Sequence, residues 1–258
     1  MKQLKKKITL VAVAMTAFFF LPATAQTTAE KAAEAYRSGD FSKSIELYES
    51  IVAQGLSENR ESADIYYNLG NAYFRSDQVA RAILNYERAL LLKPGDNDIR
   101  HNLRFARTQI EDKMDVSSDL FVANLWRNIV NLFDSNTWAF VGIALFIVFL
   151  VCVGVFLFVR VLWIKKTAFY AGIVFFIFML FANAFAFNQR NARVHRKTAV
   201  IMAASASAMT SPDANSKELF RLHSGTKVRV TKSDGNWYEV EIANGSVGWI
   251  SKENIEII

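Results

Sequence analysis

Two long uncharged apolar runs stand eight residues apart, and they constrain this chain more than any other feature. Residues 138–159 carry no charge over 22 positions, and residues 168–187 carry none over 20. Each reaches the roughly 20 residues that a helix needs to cross a bilayer. The runs hold 12 of the 21 phenylalanines, and Trp138, Trp163 and Tyr170 stand near their ends, as interfacial anchors do. The link, residues 160–167, contains Arg160, Lys165 and Lys166. So short a link forces an antiparallel transmembrane hairpin (spans 137–159 and 168–187) with both flanks on one side. The whole chain is 52% hydrophobic with a mean hydropathy of +0.14, which excludes a disordered chain and a single soluble domain.

The N-terminus sets the side. Lys2, Lys5, Lys6 and Lys7 precede an apolar stretch, Pro22 ends it, and Ala23, Thr24 and Ala25 follow. This is the order of a secretory signal peptide over residues 1–25, with cleavage expected after Ala25. An uncleaved signal anchor is the alternative, and both readings put Thr27 onward outside the cytoplasm. The basic link is then cytoplasmic, in keeping with the positive-inside rule, and the chain returns outward. Arg190, Arg193, Arg196 and Lys197 in the juxtamembrane segment 188–197 oppose that rule. They are expected to meet anionic headgroups, which makes membrane lipid a partner.

The net charge of +6 is no nucleic-acid signature. Four lysines sit in the signal, residues 26–116 carry −3, residues 117–189 carry +2 and residues 190–258 carry +3. The single cysteine, Cys152, lies inside an apolar run, so neither an intrachain disulfide nor a cysteine metal site is available.

Residues 63–96 place Tyr66, Leu69, Gly70, Tyr73, Ala82, Tyr86, Ala89 and Pro94 at fixed offsets over 34 positions. Gly70 and Ala82 are small where two helices cross closely, Tyr73, Tyr86 and Leu69 fill the space around the crossing, and Pro94 ends the second helix. In this pattern the segment resembles a tetratricopeptide repeat (TPR). An earlier, weaker copy has Gly39 and Asp40 at its turn and Ser44, Tyr48 and Ile51 at the places of Ala82, Tyr86 and Ala89. A capping helix is expected from Asp96 or Asn97 to Lys113. Two repeats and a cap give an all-α TPR solenoid of about five helices over residues 26–116, near the minimum for a stable stack. The resemblance implies protein binding on the concave face. Helix spacing places Tyr67, Asn71, Phe74 and Arg75 there, joined by His101, Phe105 and Thr108 of the cap; packing between repeats is the other reading of Tyr67 and Phe74.

Residues 117–136 read as an amphipathic juxtamembrane helix, with Phe121, Leu125, Ile129, Leu132 and Phe133 on one face. Asn183 is the one clearly polar residue of the second run, and a hydrogen bond across the hairpin is expected of it.

The pattern changes after Lys197. Residues 199–202 are a short apolar run and 203–217 read as a loop. Residues 226–231, 237–242 and 247–250 alternate as strands should, with turns at Asp234–Gly235 and Asn244–Gly245. Leu222, His223, Ser224 and Gly225, then Gly235, Asn236 and Trp237, then Gly245, Ser246, Val247, Gly248, Trp249 and Ile250 make this stretch resemble a bacterial SH3 (SH3b) domain, a small all-β SH3-like barrel over residues 198–258. Gly248 is expected to let its strand bend. Some members of that family bind cell-wall peptide, which makes Trp237 and Tyr238 the candidate ligand face and peptidoglycan a candidate partner. Core packing is the competing role for Trp237 and Trp249.

His101, His195 and His223 fall in three separate settings, and no metalloprotease, nucleophile-elbow or phosphate-loop motif occurs. No catalytic residues, metal or cofactor are expected, and no nucleic acid as partner. The fold class expected is a multi-domain membrane protein.

The order of parts resembles the BatE-type proteins of the Bacteroides aerotolerance (Bat) group, most tellingly where the second repeat runs through Lys93, Pro94, Gly95 and Asp96 into Ile99, Arg100, His101, Asn102 and Leu103. That resemblance implies an inner-membrane, two-pass protein with both end domains periplasmic. It also implies work beside Bat-type von Willebrand A-domain membrane proteins and a MoxR-type ATPase in aerotolerance or stress-related envelope upkeep. Three functions stay open: a scaffold whose TPR binds such partners, an envelope sensor whose SH3b domain binds peptidoglycan, and an accessory subunit of a transporter or membrane enzyme.

Overall fold

The structure is a computed structural model that describes residues 27–112, 125–126 and 129–258. The expected signal peptide lies outside the described residues, as do residues 117–124, 127 and 128 of the expected juxtamembrane helix.

Five helices form the first unit: α1 (Thr28–Arg37), α2 (Phe41–Ser57), α3 (Ala63–Arg75), α4 (Val79–Leu92) and α5 (Asn97–Arg107). Their ends follow local chemistry. Thr27 and Glu30 form a capping box at α1, and the Asp96 carboxylate accepts from the N–H groups of Asp98 and Ile99 at α5. Gly39 takes a φ of +85° between α1 and α2, a conformation only glycine adopts freely. The close crossing of α3 and α4 is explicit. A Cβ at Gly70 would stand 2.7 Å from the Tyr86 ring and 3.3 Å from the Ala82 carbonyl oxygen. In the first repeat Ser44 takes the place of an alanine, and its buried hydroxyl donates to the Ala32 carbonyl at 3.0 Å. The cap is shorter than the expected reach to Lys113. α5 ends at Arg107, and residues 108–112 turn toward the β module, where Asp112 is held.

α6 (Ser135–Phe158) and α7 (Leu162–Val194) form an antiparallel hairpin, each long and apolar enough to cross a membrane. Only 6% of the most apolar window of α6 and 22% of that of α7 is buried, so neither is the core helix of a soluble domain. The non-helical link is three residues, not eight, because α7 begins at Leu162 and takes in Lys165 and Lys166. Lys165 bends back so that its ammonium lies 4.9 Å from the Phe156 ring centre. The expected bond from Asn183 across the hairpin is not made. Its amide donates to Met179 O one turn back on its own helix, and its side chain sits over Gly142, where a Cβ would stand 2.9 Å from Nδ2. At the end away from the link, Trp138 packs edge-to-face on Phe185 and donates to Val130 O at 2.9 Å.

The third unit is a seven-stranded antiparallel sheet: β1 (Thr198–Ile201), β2 (Ser205–Met209), β3 (Glu218–His223), β4 (Lys227–Asp234), β5 (Trp237–Glu241), β6 (Val247–Ser251) and β7 (Ile255–Ile257), ordered β3-β2-β6-β5-β4-β1-β7. The stretch expected to be a loop contains β2. Its small residues alternate, with Ala206 and Ala208 buried, and side chains this small let β6 pass close by. Gly248 serves that approach, since a Cβ there would stand 2.9 Å from Ala208 Cβ. The core is aliphatic, built on Ile201, Leu222, Val228, Val240 and Ile250. Trp237 and Trp249 are only half-buried and lie outside it. They share the sheet face opposite Val240 and Ile250, because residues alternate along a strand.

The helical and β units share a seam. Val200, Met202 and Ile258 pack into the helical core. A Cβ at Gly225, whose φ is +89°, would clash with Ile110 at 2.5 Å.

Candidate functional site

Two of the expected groove residues, Tyr67 and Asn71, are drawn into one hydrogen-bonded set with Tyr86 and Asn102. Asn71 Oδ1 accepts from Tyr86 Oη at 2.8 Å and from Asn102 Nδ2 at 2.9 Å, and Asn102 Nδ2 also donates to Tyr67 Oη at 3.1 Å. Burial pushes the Tyr86 hydroxyl well above the usual tyrosine range, so it stays a donor. This set ties α3, α4 and α5 together and leaves the Asn71 carbonyl engaged. Phe74 packs on Phe105 of the cap, ring centres 5.5 Å apart, with about half of Phe105 exposed. Arg75 leans over the Phe41 ring at 4.9 Å, which draws it toward α2. His101 and Thr108 are exposed on the cap side.

The hollow of the stack lies beside these residues. A cavity of about 150 Å³ is lined by Ala33, Tyr36 and Arg37 of α1, Tyr48 of α2, and Asn68 and Asn71 of α3. Tyr36, Arg37 and Asn68 were missed in the sequence. Asn68 stands four residues beyond Asp64 and three before Asn71, which is one helical face. The α1 residues were obscured because that helix lacks the Leu and Gly of the repeat pattern.

On the β module, Trp237 and Tyr238 do not share a face, since consecutive strand residues point oppositely. Tyr238 packs against the core and carries the Lys252 ammonium 4.7 Å from its ring centre. The residue that joins Trp237 is Trp249. Trp237 pairs with Ser251 and Glu239 with Trp249, so the two indoles are diagonal neighbours.

A larger cleft, about 770 Å³, lies between the units. Arg104, Arg107, Ile110 and Asp112 line it on one side and Lys227, Val228, Arg229 and Ile242 on the other. Glu87 is buried and pairs with two of the lining residues, Arg107 and Lys227, the latter at 2.7 Å. Burial pushes the Glu87 carboxyl up, but Lys227 and Arg107 outweigh it and hold the group below the usual carboxylate range. Arg88 donates to Glu256 at 2.9 Å and to Ile257 O at 2.7 Å, and Arg196 pairs with Glu61. The β module therefore packs on α4 and on the residues that follow α5, and none of its residues lines the α1–α3 hollow.

Comparison with known families agrees with this geometry in two places. Residues 63–96 match the tetratricopeptide repeat, and residues 210–256 match the bacterial SH3 domain. No curated protein matches the chain. The chain thus combines a TPR with a bacterial SH3 domain and two long apolar helices. A TPR carries protein–protein interaction, so protein partners follow from it.

Proposed function

We propose that this chain is a non-enzymatic, membrane-anchored scaffold whose helical repeat captures a protein partner in the α1–α3 hollow. One observation carries the reading: the SH3 module occupies α4 and the end of α5 and leaves the hollow of the stack open. The direct contact between the helical and β units supports a hairpin with both ends on one side of the membrane. The basic N-terminal pattern supports the exported side. The resemblance to BatE-type proteins points to von Willebrand-type A-domain membrane proteins as the partners, in an aerotolerance or stress-related envelope complex.

Affinity purification from membranes tests this. The full chain should recover A-domain proteins, and Arg37→Glu with Asn68→Arg should lose them while the protein stays folded. Unchanged recovery by that variant would remove the hollow from the mechanism. Reporter fusions at the C-terminus test the side, and cytoplasmic reporter activity there would overturn the topology.

A second reading, cell-wall binding by the SH3 module, draws on the Trp237–Trp249 pair on the outer sheet face. Retention on purified cell wall that is lost in Trp237→Ala and Trp249→Ala would favour it.

A further inference from the structure

The Asp112 carboxylate reaches from the end of the helical unit into the β module and is bound three ways. One oxygen accepts from the His223 backbone N–H at 2.7 Å and from Thr226 Oγ1 at 2.7 Å; the other meets His223 Nδ1 at 2.8 Å. The far side of the same ring faces Glu111, with Nε2 3.7 Å from the carboxylate. His223 is thus clasped between two carboxylates from residues that follow α5, while Arg221 on its own strand is a cation that opposes its protonation. The clasp stands at one edge of the interdomain cleft, where Asp112 and Thr226 both line the wall.

We propose that this clasp is a proton-controlled latch, in which protonated His223 fastens the tail of the helical unit to the SH3 module and deprotonation loosens it. A neutral imidazole keeps at most the Nδ1 bond and loses its attraction to both carboxylates, whereas an imidazolium satisfies Asp112 and Glu111 together. Other seam contacts hold the units together apart from the clasp: Glu87 with Lys227, Arg88 with Glu256, and Ile258 in the helical core. They do not involve Glu111 or Asp112, and Ile110 meets the module at Gly225 through an apolar contact that no proton controls. Loosening therefore lets the end of the α5 tail and the cleft edge move without separating the two units.

The direction is fixed by the groups involved. The bond to Asp112 raises the His223 pKa above the ordinary 6.5. Its contribution is complete below that ordinary value and is lost as pH rises through the raised one. Partial burial pushes the Asp112 carboxyl up, but the bonds from His223 and Thr226 prevail and hold it below the ordinary 3.8. The Asp112 contribution is present above 3.8 and is lost as pH falls through the lowered value. The latch is therefore tightest at mildly acidic pH and slackens toward alkaline pH.

The test uses the full chain in lipid nanodiscs, with Cys152→Ala and spin labels at Gln109→Cys and Lys217→Cys. Pulsed electron–electron distances between about pH 5 and about pH 9 span the histidine range. A single narrow distance should give way to a broader, longer distribution as pH rises, with a midpoint above 6.5. The His223→Gln variant should show one distribution at every pH. A wild-type distribution that does not move, or a step that survives His223→Gln, overturns the proposal. Histidine NMR titration of the unlabelled chain is the second measurement. His223 should titrate above 6.5 and fall back in Asp112→Asn, and a wild-type value at or below 6.5 overturns the latch independently.

Discussion

Glu87 of the helical unit and Lys227 of the SH3 module form an ion pair of 2.7 Å across the seam, and the Glu87 side chain is only 6% exposed. Arg107 shares that carboxylate from the helical side. Replacing Glu87 with Gln leaves two cations facing a neutral amide. Breaking a buried pair costs about 3–5 kcal/mol. Both cations are over a third exposed, so the low end, about 3 kcal/mol, is expected. Chemical denaturation of the purified full chain in detergent measures it, and a loss under about 1 kcal/mol would show that the pair contributes little.

The same carboxylate makes the fold acid-sensitive. Glu87 is held below its ordinary value of 4.5, so its contribution is present above 4.5 and is lost as pH falls through the lowered value. Thermal melts on the acid side should show a steeper fall in stability for the wild type than for Glu87→Gln. Parallel curves would contradict the assignment.

At the centre of the second repeat, Gly70→Ala places a methyl 2.7 Å from the Tyr86 ring. Tyr86 is itself fixed by Asn71 and cannot swing aside freely. Overpacking of this kind costs about 1–3 kcal/mol. Helical circular dichroism during denaturation should show an earlier transition, and an unchanged midpoint would mean that the α3–α4 crossing yields more easily than its geometry suggests.

At the C-terminus, Ile258 is 2% exposed and packs into the helical core beside Val200. The Ile258→Asp variant buries an unpaired charge there. Limited proteolysis should then cut residues 195–204, between the hairpin and the sheet, faster than in the wild type. Equal cleavage rates would show that the seam holds without this residue.

The helical repeat was legible because its constraints are local. Gly70, Ala82 and Tyr86 meet across one helix crossing and stand within 16 positions of one another in the sequence. The apolar helices were legible from the absence of charge alone. β2 was hidden because Ala206 and Ala208 have the composition of a loop, and only the sheet around them shows why small residues are required there. Trp237 and Trp249 look like core residues by size, but strand register decides their face, and register follows from pairings that no single strand reveals. The seam was out of reach. Asp112 and His223 are 111 residues apart, and neither lies in a pattern that names the other.

The 33 residues of α7 have a mechanical consequence. At about 1.5 Å per residue the helix is about 50 Å long, whereas a bilayer's hydrocarbon layer is about 30 Å thick. Set in a membrane, α7 would project well beyond the lipid as a rigid post. Arg193 near its top reaches the Leu92 carbonyl at 3.5 Å and braces the post against the helical repeat. The proposed binding hollow would thereby be carried at a fixed standoff from the bilayer. A partner anchored in the same membrane would need a stalk of matching height, so reach selects among partners before any side chain does.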